Sequence, residues 1–168
     1  ATAMSGGQSL LPSMKARLAQ HETVVDLTGC LQDSIRVERD GDIFIGGGTR
    51  HAAVARDSVV PGWLADVAAH IGDPAVRNRG TIGGSLANND PAACYPAVVL
   101  ATGATITTNT RSIAADDYFQ GMFTTALEEG EIITEVMFPT GVSAPGRVFN
   151  ANYQKFVPPA SRFALVGV

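Results

Sequence analysis

The chain has 168 residues, a formal net charge of −4 and 45% hydrophobic residues, as expected for a folded globular protein. No basic stripe could neutralise phosphates and no apolar run is long enough for a membrane helix, so we expect no nucleic-acid partner and no membrane span. Cys30 and Cys94 lack metal-ligand spacing. Two buried thiols in a reduced cytoplasm are a simpler interpretation than a disulfide. No cluster of His, Cys and carboxylates indicates a metal, so we expect none.

The first part of the chain alternates between helical and extended patterns. Asp40-Gly41 is typical of a hairpin turn between two short alternating strands. The predicted elements are, in order, a helix at 11–20, a buried strand at 23–27, strands at 35–38 and 43–45, and helices at 49–56 and 61–71.

Residues 72–91 are polar and contain several glycines, which predicts a long functional loop. A helix follows at 92–102, with Asp90 as N-cap and Pro91 at its first position. The remainder is rich in strands, and the fold class is therefore α+β. We expect two lobes, at about 1–60 and 61–168, with the loop between them. The predicted strands are 104–108, 111–114, 132–138, 147–156 and 164–168.

Two glycine-rich loops stand about half the chain apart. Residues 5–9 read Ser-Gly-Gly-Gln-Ser, and residues 80–85 read Gly-Thr-Ile-Gly-Gly-Ser. Glycine lets a backbone approach a ligand closely, and the neighbouring N–H groups and hydroxyls can hold an anion. Neither loop is a P-loop or a GxGxxG fingerprint. An ordinary turn is an equal alternative for the first loop. Together the loops predict a dinucleotide held from two sides.

Other candidate residues have local explanations. Arg77 and Arg79 bring cations to the second loop, but they could equally pair with carboxylates or face a partner subunit. The adjacent carboxylates at 116–117 favour a cap, the three histidines are isolated, and Ser161 lacks a hydrolase context. Lys155 lies in an apolar strand and faces either a buried anionic partner or solvent.

Residues 5–12, 71–87, 153–156 and 160–162 together resemble the FAD-binding (medium) subunit of the molybdenum hydroxylase family, of the carbon monoxide dehydrogenase and xanthine dehydrogenase type. The resemblance extends along essentially all of the chain. It implies the two-lobed FAD-binding fold of the vanillyl-alcohol-oxidase-like (PCMH) type, here without the family's first strand and helix and its small C-terminal domain.

The resemblance also implies an oxidoreductase subunit without catalytic residues of its own. A molybdenum–pterin large subunit would oxidise the organic substrate, and a [2Fe–2S] small subunit would pass electrons to FAD. NAD, a quinone or oxygen would then accept them. The residues assigned to FAD are Gly6, Gly7, Gln8, Ser9, Leu10, Ile71, Thr81, Ile82, Gly83, Gly84, Ser85, Asp90, Cys94, Ile133 and Lys155.

Two of these assignments have a particular basis in the resemblance. Lys155 corresponds to a lysine near the flavin ring, and Cys94 stands where relatives often have Asp. Two alternatives for the whole chain remain open at this point. One is a stand-alone flavin reductase of the same fold, which would bind NADPH, and the other is a non-catalytic docking module. Flavin content and co-purifying molybdenum and iron would distinguish them.

Overall fold

The computed structural model of the chain describes residues 1–140, 151–159 and 163–168. Its mixture of short helices and antiparallel sheet confirms the predicted α+β class. The helices are α1 (Leu10–Lys15), α2 (His51–Val54), α3 (Gly62–Ala69), α4 (Pro74–Arg77), α5 (Ile82–Asn88), α6 (Tyr95–Thr102) and α7 (Ala115–Tyr118). The strands are β1 (Thr2–Met4), β2 (Val24–Asp26), β3 (Ile35–Val37), β4 (Ile43–Gly46), β5 (Thr105–Thr108), β6 (Ser112–Ala114), β7 (Phe119–Gly121), β8 (Thr124–Thr125), β9 (Ile133–Phe138), β10 (Lys155–Phe156) and β11 (Val166–Gly167).

Five strands form an antiparallel sheet in the order β3-β4-β9-β5-β6. Its buried face carries a cross-strand row, because Ile45 opposes Val136, Val136 opposes Ile106, and Ile106 opposes Ile113. All four side chains are buried, as the period of two along a strand requires for residues on one face. Helix α5 packs against β4 and β9, and α6 packs against α3 and α5. The second glycine loop is therefore anchored to the core.

A smaller unit lies at the start of the chain. Strands β1 and β2 pair in parallel, and α1 connects them. The first glycine loop lies between the end of β1 and the start of α1. Ligands of open α/β units bind outside the carboxyl ends of such strands, so this loop occupies a position suited to binding.

The predicted lobe boundary near residue 60 stays a prediction. The five-stranded sheet combines β3 and β4, which come before that residue, with β5, β6 and β9, which come after it. The β1–β2 pair forms a sheet of its own. We therefore propose that the division between lobes lies closer to residue 30 than to residue 60.

The prediction of a continuous loop at 72–91 is wrong, because this segment contains α4 and α5. Asp73 caps α4 by accepting a hydrogen bond from the Val76 N–H at 2.9 Å, and Pro74 occupies the first turn. Thr81 caps α5 by accepting from the Gly84 N–H at 3.1 Å. Two good caps thus outweigh the low helix propensity of the glycines.

The predicted helix at 92–102 begins later than expected, at Tyr95. Asp90 does not cap it: its Oδ1 accepts from the Ala92 N–H at 2.8 Å and so closes a separate turn. The residue at the N-cap of α6 is Cys94, and Pro96 lies in the first turn. The proline that begins the helix is therefore Pro96 and not Pro91.

Three other expectations near the N-terminus also differ. The first helix ends at Lys15, because Arg17 has a φ of 59° that a helix cannot continue. The segment after Thr49 is helical only from His51 to Val54, since the Thr49 carbonyl accepts from the Ile82 N–H at 3.0 Å. Strand β2 is not buried, because Val25 is exposed.

The two cysteines are free, as predicted, but only Cys94 is buried, while Cys30 is exposed in a turn after β2. At the C-terminal end, β10 is shorter than the predicted strand at 147–156 and pairs antiparallel with β11. Residues 147–150 and 160–162 lie outside the described residues. Within the described residues, no helix is long and apolar enough to cross a membrane and no cluster of metal-ligating side chains occurs.

Candidate functional site

A cavity of about 510 Å³ lies between the two glycine loops. Its volume falls in the range of small-molecule and cofactor sites. Twelve of the fifteen residues assigned to cofactor binding line it. These are Gly6, Gly7, Gln8, Ser9, Leu10, Ile71, Thr81, Gly84, Ser85, Asp90, Cys94 and Lys155.

The first loop offers backbone donors. Gly7 has a φ of +70°, which favours glycine and turns the chain from β1 into α1. Within the described part of the chain, the N–H groups of Gly7, Gln8 and Ser9 donate to no acceptor. Successive free N–H groups in such a turn form a concave anion site. This loop is thus equipped to bind an anionic group.

The second loop uses its N–H groups differently. The Ile82 and Gly83 N–H groups donate to the carbonyls of Thr49 and Gly47, both at 3.0 Å. The Gly84 N–H donates to the Thr81 hydroxyl. Structural bonds therefore occupy most of this loop, which lines the cavity at Gly80, Thr81, Gly84 and Ser85.

The two loops touch each other through glycine. A Cβ on Gly6 would overlap the Arg79 carbonyl and lie 2.7 Å from Cα of Gly80. The Ser5 and Thr81 hydroxyl oxygens lie 2.9 Å apart and share a hydrogen bond. Any larger residue at position 6 would separate the loops, so the spacing of the cavity depends on this glycine.

Three assigned residues lie outside the cavity lining: Ile82, Gly83 and Ile133. Ile82 is fully buried in the core, and Gly83 lies so close to the chain that a Cβ on it would be 2.7 Å from the Gly47 carbonyl oxygen. Ile133 is 3% exposed at the start of β9. All three fix α5 and the sheet beneath the site rather than border the cavity.

The arginines of the second loop have separate roles. The Arg77 guanidinium donates to the Ile71 and Gly72 carbonyls at 3.0 and 3.1 Å, which holds the turn before α4. Among the described residues these bonds go to backbone carbonyls and not to a carboxylate. Arg79 contributes its carbonyl to the contact with Gly6.

Lys155 reaches the cavity from β10. Its Nζ donates to the His70 carbonyl at 2.8 Å, at the end of α3. The lysine lines the cavity, and this hydrogen bond orients its ammonium group. An ammonium with three donors retains two for another partner. A positive charge thus belongs to the cavity lining, which also includes Ile71 and Cys94.

Sequence reasoning missed one residue that lines the cavity, His51, and also Asn89, which lies between the lining residues Asn88 and Asp90 without lining the cavity itself. His51 lines the cavity and is only 4% exposed. Burial, with a further contribution from the Arg77 charge, lowers the pKa of its imidazole from 6.5 to about 4, so the ring is neutral at pH 7. Asn89, at the end of α5, donates to the Gly121 and Thr124 carbonyls at 2.8 Å and so ties the β7–β8 hairpin to the second loop. No sequence motif marks either residue.

These features fit a dinucleotide. The first loop supplies unpaired N–H donors for a pyrophosphate, and the second loop supplies hydroxyl side chains. Where the loops meet, Gly6 and Gly80 have no side chains that would intrude. The residues do not form a metal site, since no cluster of metal-ligating side chains occurs in the described residues.

Comparison with known proteins agrees with this geometry. Residues 1–141 match the family described as the FAD binding domain in molybdopterin dehydrogenase. The nicotine 6-hydroxylase medium subunit of Paenarthrobacter nicotinovorans is 42% identical over 145 residues, 82% of this chain and 51% of that protein. The carbon monoxide dehydrogenase medium chain of Afipia carboxidovorans is 35% identical over 97% of this chain and 59% of that protein.

Solved structures give the same result for the fold. Carbon monoxide dehydrogenase from Hydrogenophaga pseudoflava, in a form lacking the Mo-pyranopterin moiety, superposes with a TM-score of 0.86 and 33% identity. Quinoline 2-oxidoreductase from Pseudomonas putida 86 gives a TM-score of 0.86 and 31% identity. Each match covers 99% of this chain and 59% of the other. This chain, which spans between half and three-fifths of the relatives it matches, belongs to the FAD-binding domain family of molybdopterin dehydrogenases, and its cofactor is FAD.

Proposed function

We propose that this chain is the FAD-binding part of the medium subunit of a molybdenum-containing hydroxylase or dehydrogenase. In this role it receives electrons from a [2Fe–2S] small subunit, while a molybdenum–pterin large subunit oxidises the organic substrate. The names of its relatives support the assignment, because the first of them are medium subunits or medium chains of hydroxylases and dehydrogenases. A stand-alone flavin reductase has no support among them.

The two glycine loops would hold the pyrophosphate and ribose of FAD. Residues 6–10 provide the unpaired backbone donors, and residues 81–85 provide hydroxyls and a close backbone approach. When bound, FAD supplies the capacity to accept electrons from a one-electron donor and to pass them on singly or in pairs. The chain itself contributes binding, orientation and the electrostatic surroundings.

Lys155 would contribute to those surroundings. Its ammonium lines the cavity and is oriented by the His70 carbonyl, so the position of the charge is defined. A fixed positive charge stabilises added negative charge nearby. The role of Lys155 is thus to favour the reduced state of the cofactor.

The observation that carries the proposal is the cavity between two glycine loops that share the Ser5–Thr81 hydrogen bond. The first test is the visible absorption spectrum of the purified chain, with the released cofactor identified by chromatography. Flavin bands and released FAD are the expected result. A colourless protein that stays colourless with excess FAD would contradict the proposal.

The electron path needs a second experiment. The chain, expressed with its neighbouring genes and purified by a tag, should retain subunits that contain molybdenum and iron. Substrate-reduced complex is then offered NAD, a quinone or oxygen, and the acceptor is the one that reoxidises the flavin fastest. Purification of a flavin-containing chain alone, active with NADPH, would instead indicate a stand-alone reductase.

A further inference from the structure

His51 lies beside the contact between the two glycine loops, which Gly6 and Gly80 form. It is the first residue of α2, and its backbone N–H donates to the Gly80 carbonyl at 3.0 Å. Its neighbour Arg50 forms an isolated antiparallel bridge with Thr81. The backbone that carries this histidine is therefore joined directly to the backbone of the second loop.

The imidazole itself packs against the same loop. A Cβ on Gly80 would lie 2.6 Å from Nε2 of His51. Gly80 is also close to the first loop, because a Cβ on Gly6 would lie 2.7 Å from the Gly80 Cα. The ring and the first loop therefore both contact Gly80, and His51, Gly6 and Gly80 all line the cavity.

One nitrogen of this ring is unsatisfied. Nδ1 of His51 is buried and has no hydrogen-bond partner in the described part of the chain. The Tyr95 ring packs against the imidazole at a centroid distance of 5.4 Å and with a tilt of 56°, and the Tyr95 hydroxyl is not bonded to Nδ1. A buried polar atom without a partner is costly, and a ligand in the cavity that this ring borders could supply a bond to the imidazole.

Resting on the proposal that this cavity holds FAD, we propose that His51 is a further cofactor-binding residue, whose imidazole hydrogen-bonds an oxygen of the pyrophosphate or ribose. A neutral imidazole offers one N–H donor and one acceptor nitrogen. Phosphate and ribose oxygens are suitable partners for the donor, and ribose hydroxyls are suitable for the acceptor. Among the described residues that line the cavity, this is the only histidine.

The role is tested by FAD affinity, measured from the quenching of flavin fluorescence during titration of the apoprotein. His51→Phe keeps a planar ring and removes both nitrogens, and we expect it to weaken FAD binding about tenfold. His51→Asn keeps a donor and an acceptor near the position of Nδ1 and should restore part of the affinity. Tyr95→Phe is the matched control, since it removes another unpartnered buried polar atom and keeps the ring contact.

A second measurement does not depend on how well the variants fold. The chain labelled with ¹⁵N-histidine is titrated with FAD, and the resonances of the three histidines are followed. A shift of an His51 ring nitrogen on binding supports the proposal, with His21 and His70 as internal references. An unchanged His51 resonance, or wild-type affinity in His51→Phe, would overturn it. If the wild-type chain bound no FAD, the proposed function would fail as well.

Discussion

The hydroxyl oxygens of Ser5 and Thr81 lie 2.9 Å apart, although 76 positions separate the two residues in the chain. Each belongs to a different glycine loop, and each loop belongs to a different sheet unit. This bond and the contact between Gly6 and Gly80 join the small β1–α1–β2 unit to residues 80–81, just before α5. The cavity that we propose for FAD therefore lies across a junction, and changes at the junction should affect binding before they affect the core.

Gly6→Ala should separate the loops. The new Cβ would overlap the Arg79 carbonyl and press on the Gly80 backbone, and backbone atoms cannot move aside like a flexible side chain. We expect FAD affinity, measured by fluorescence titration, to fall at least tenfold.

Gly62→Ala is the control for this substitution. Gly62 begins α3, and a Cβ there would meet nothing within 4 Å. The control should bind FAD like the wild type and be neutral or slightly more stable, because alanine favours the helix. Equal affinity in the Gly6 and Gly62 variants would show that the loops do not need their close contact.

Thr81→Val should destabilise the start of α5. The Thr81 hydroxyl accepts from the Gly84 N–H and bonds to the Ser5 hydroxyl, and the residue is buried. Loss of an N-cap typically lowers the free energy of unfolding by about 1 kcal/mol. We expect that loss in urea denaturation together with weaker FAD binding.

Thr81→Ser tests whether the hydroxyl or the methyl group of Thr81 matters. Serine retains the oxygen that caps α5 and bonds to Ser5, so it should keep most of the stability and affinity. If serine were as damaging as valine, packing of the methyl group would explain the loss and the capping argument would be wrong.

His51 should make the chain sensitive to mild acid. The folded-state pKa of about 4 lies below the ordinary 6.5, so between these values the unfolded chain binds a proton that the folded chain does not. The contribution of His51 to the free energy of unfolding is constant above pH 6.5. Below pH 6.5 this contribution falls by about 1.4 kcal/mol per pH unit, and the total loss at pH 4 is about 3 kcal/mol.

The effect of His51 is measured as a difference between proteins, because carboxylates also titrate in this range. Urea denaturation of the wild type and His51→Phe at several values between pH 7 and pH 4 should give stability curves that converge or cross as the pH falls. Tyr95→Phe retains the imidazole and should follow the wild-type slope. Parallel curves for the wild type and His51→Phe would mean that the histidine is not held neutral by burial.

The sequence predicted the strands of the five-stranded sheet and the glycine turn after β1, because these depend on local patterns. Alternation at 35–38 and the turn at Asp40-Gly41 are visible in the chain. The helix α5 was missed, because its glycines argue against helix and only the Thr81 cap and packing on β9 outweigh them. His51 and Asn89 were missed for another reason. His51 bonds to Gly80, which is 29 positions away in the chain, and Asn89 bonds to Gly121, which is 32 positions away. Periodicity cannot show contacts at such separations.

Lys155→Gln should lower the reduction potential of the bound flavin. The Lys155 ammonium lines the cavity and donates to the His70 carbonyl, and removing its charge removes an attraction for electrons added nearby. An interaction of about 1.4 kcal/mol corresponds to about 30 mV for a two-electron couple, and we expect a decrease of that order in a spectroelectrochemical titration. Lys155→Arg retains the positive charge and should keep most of the potential. If Lys155→Gln left the potential unchanged, the ammonium would serve only to fix β10 against the end of α3.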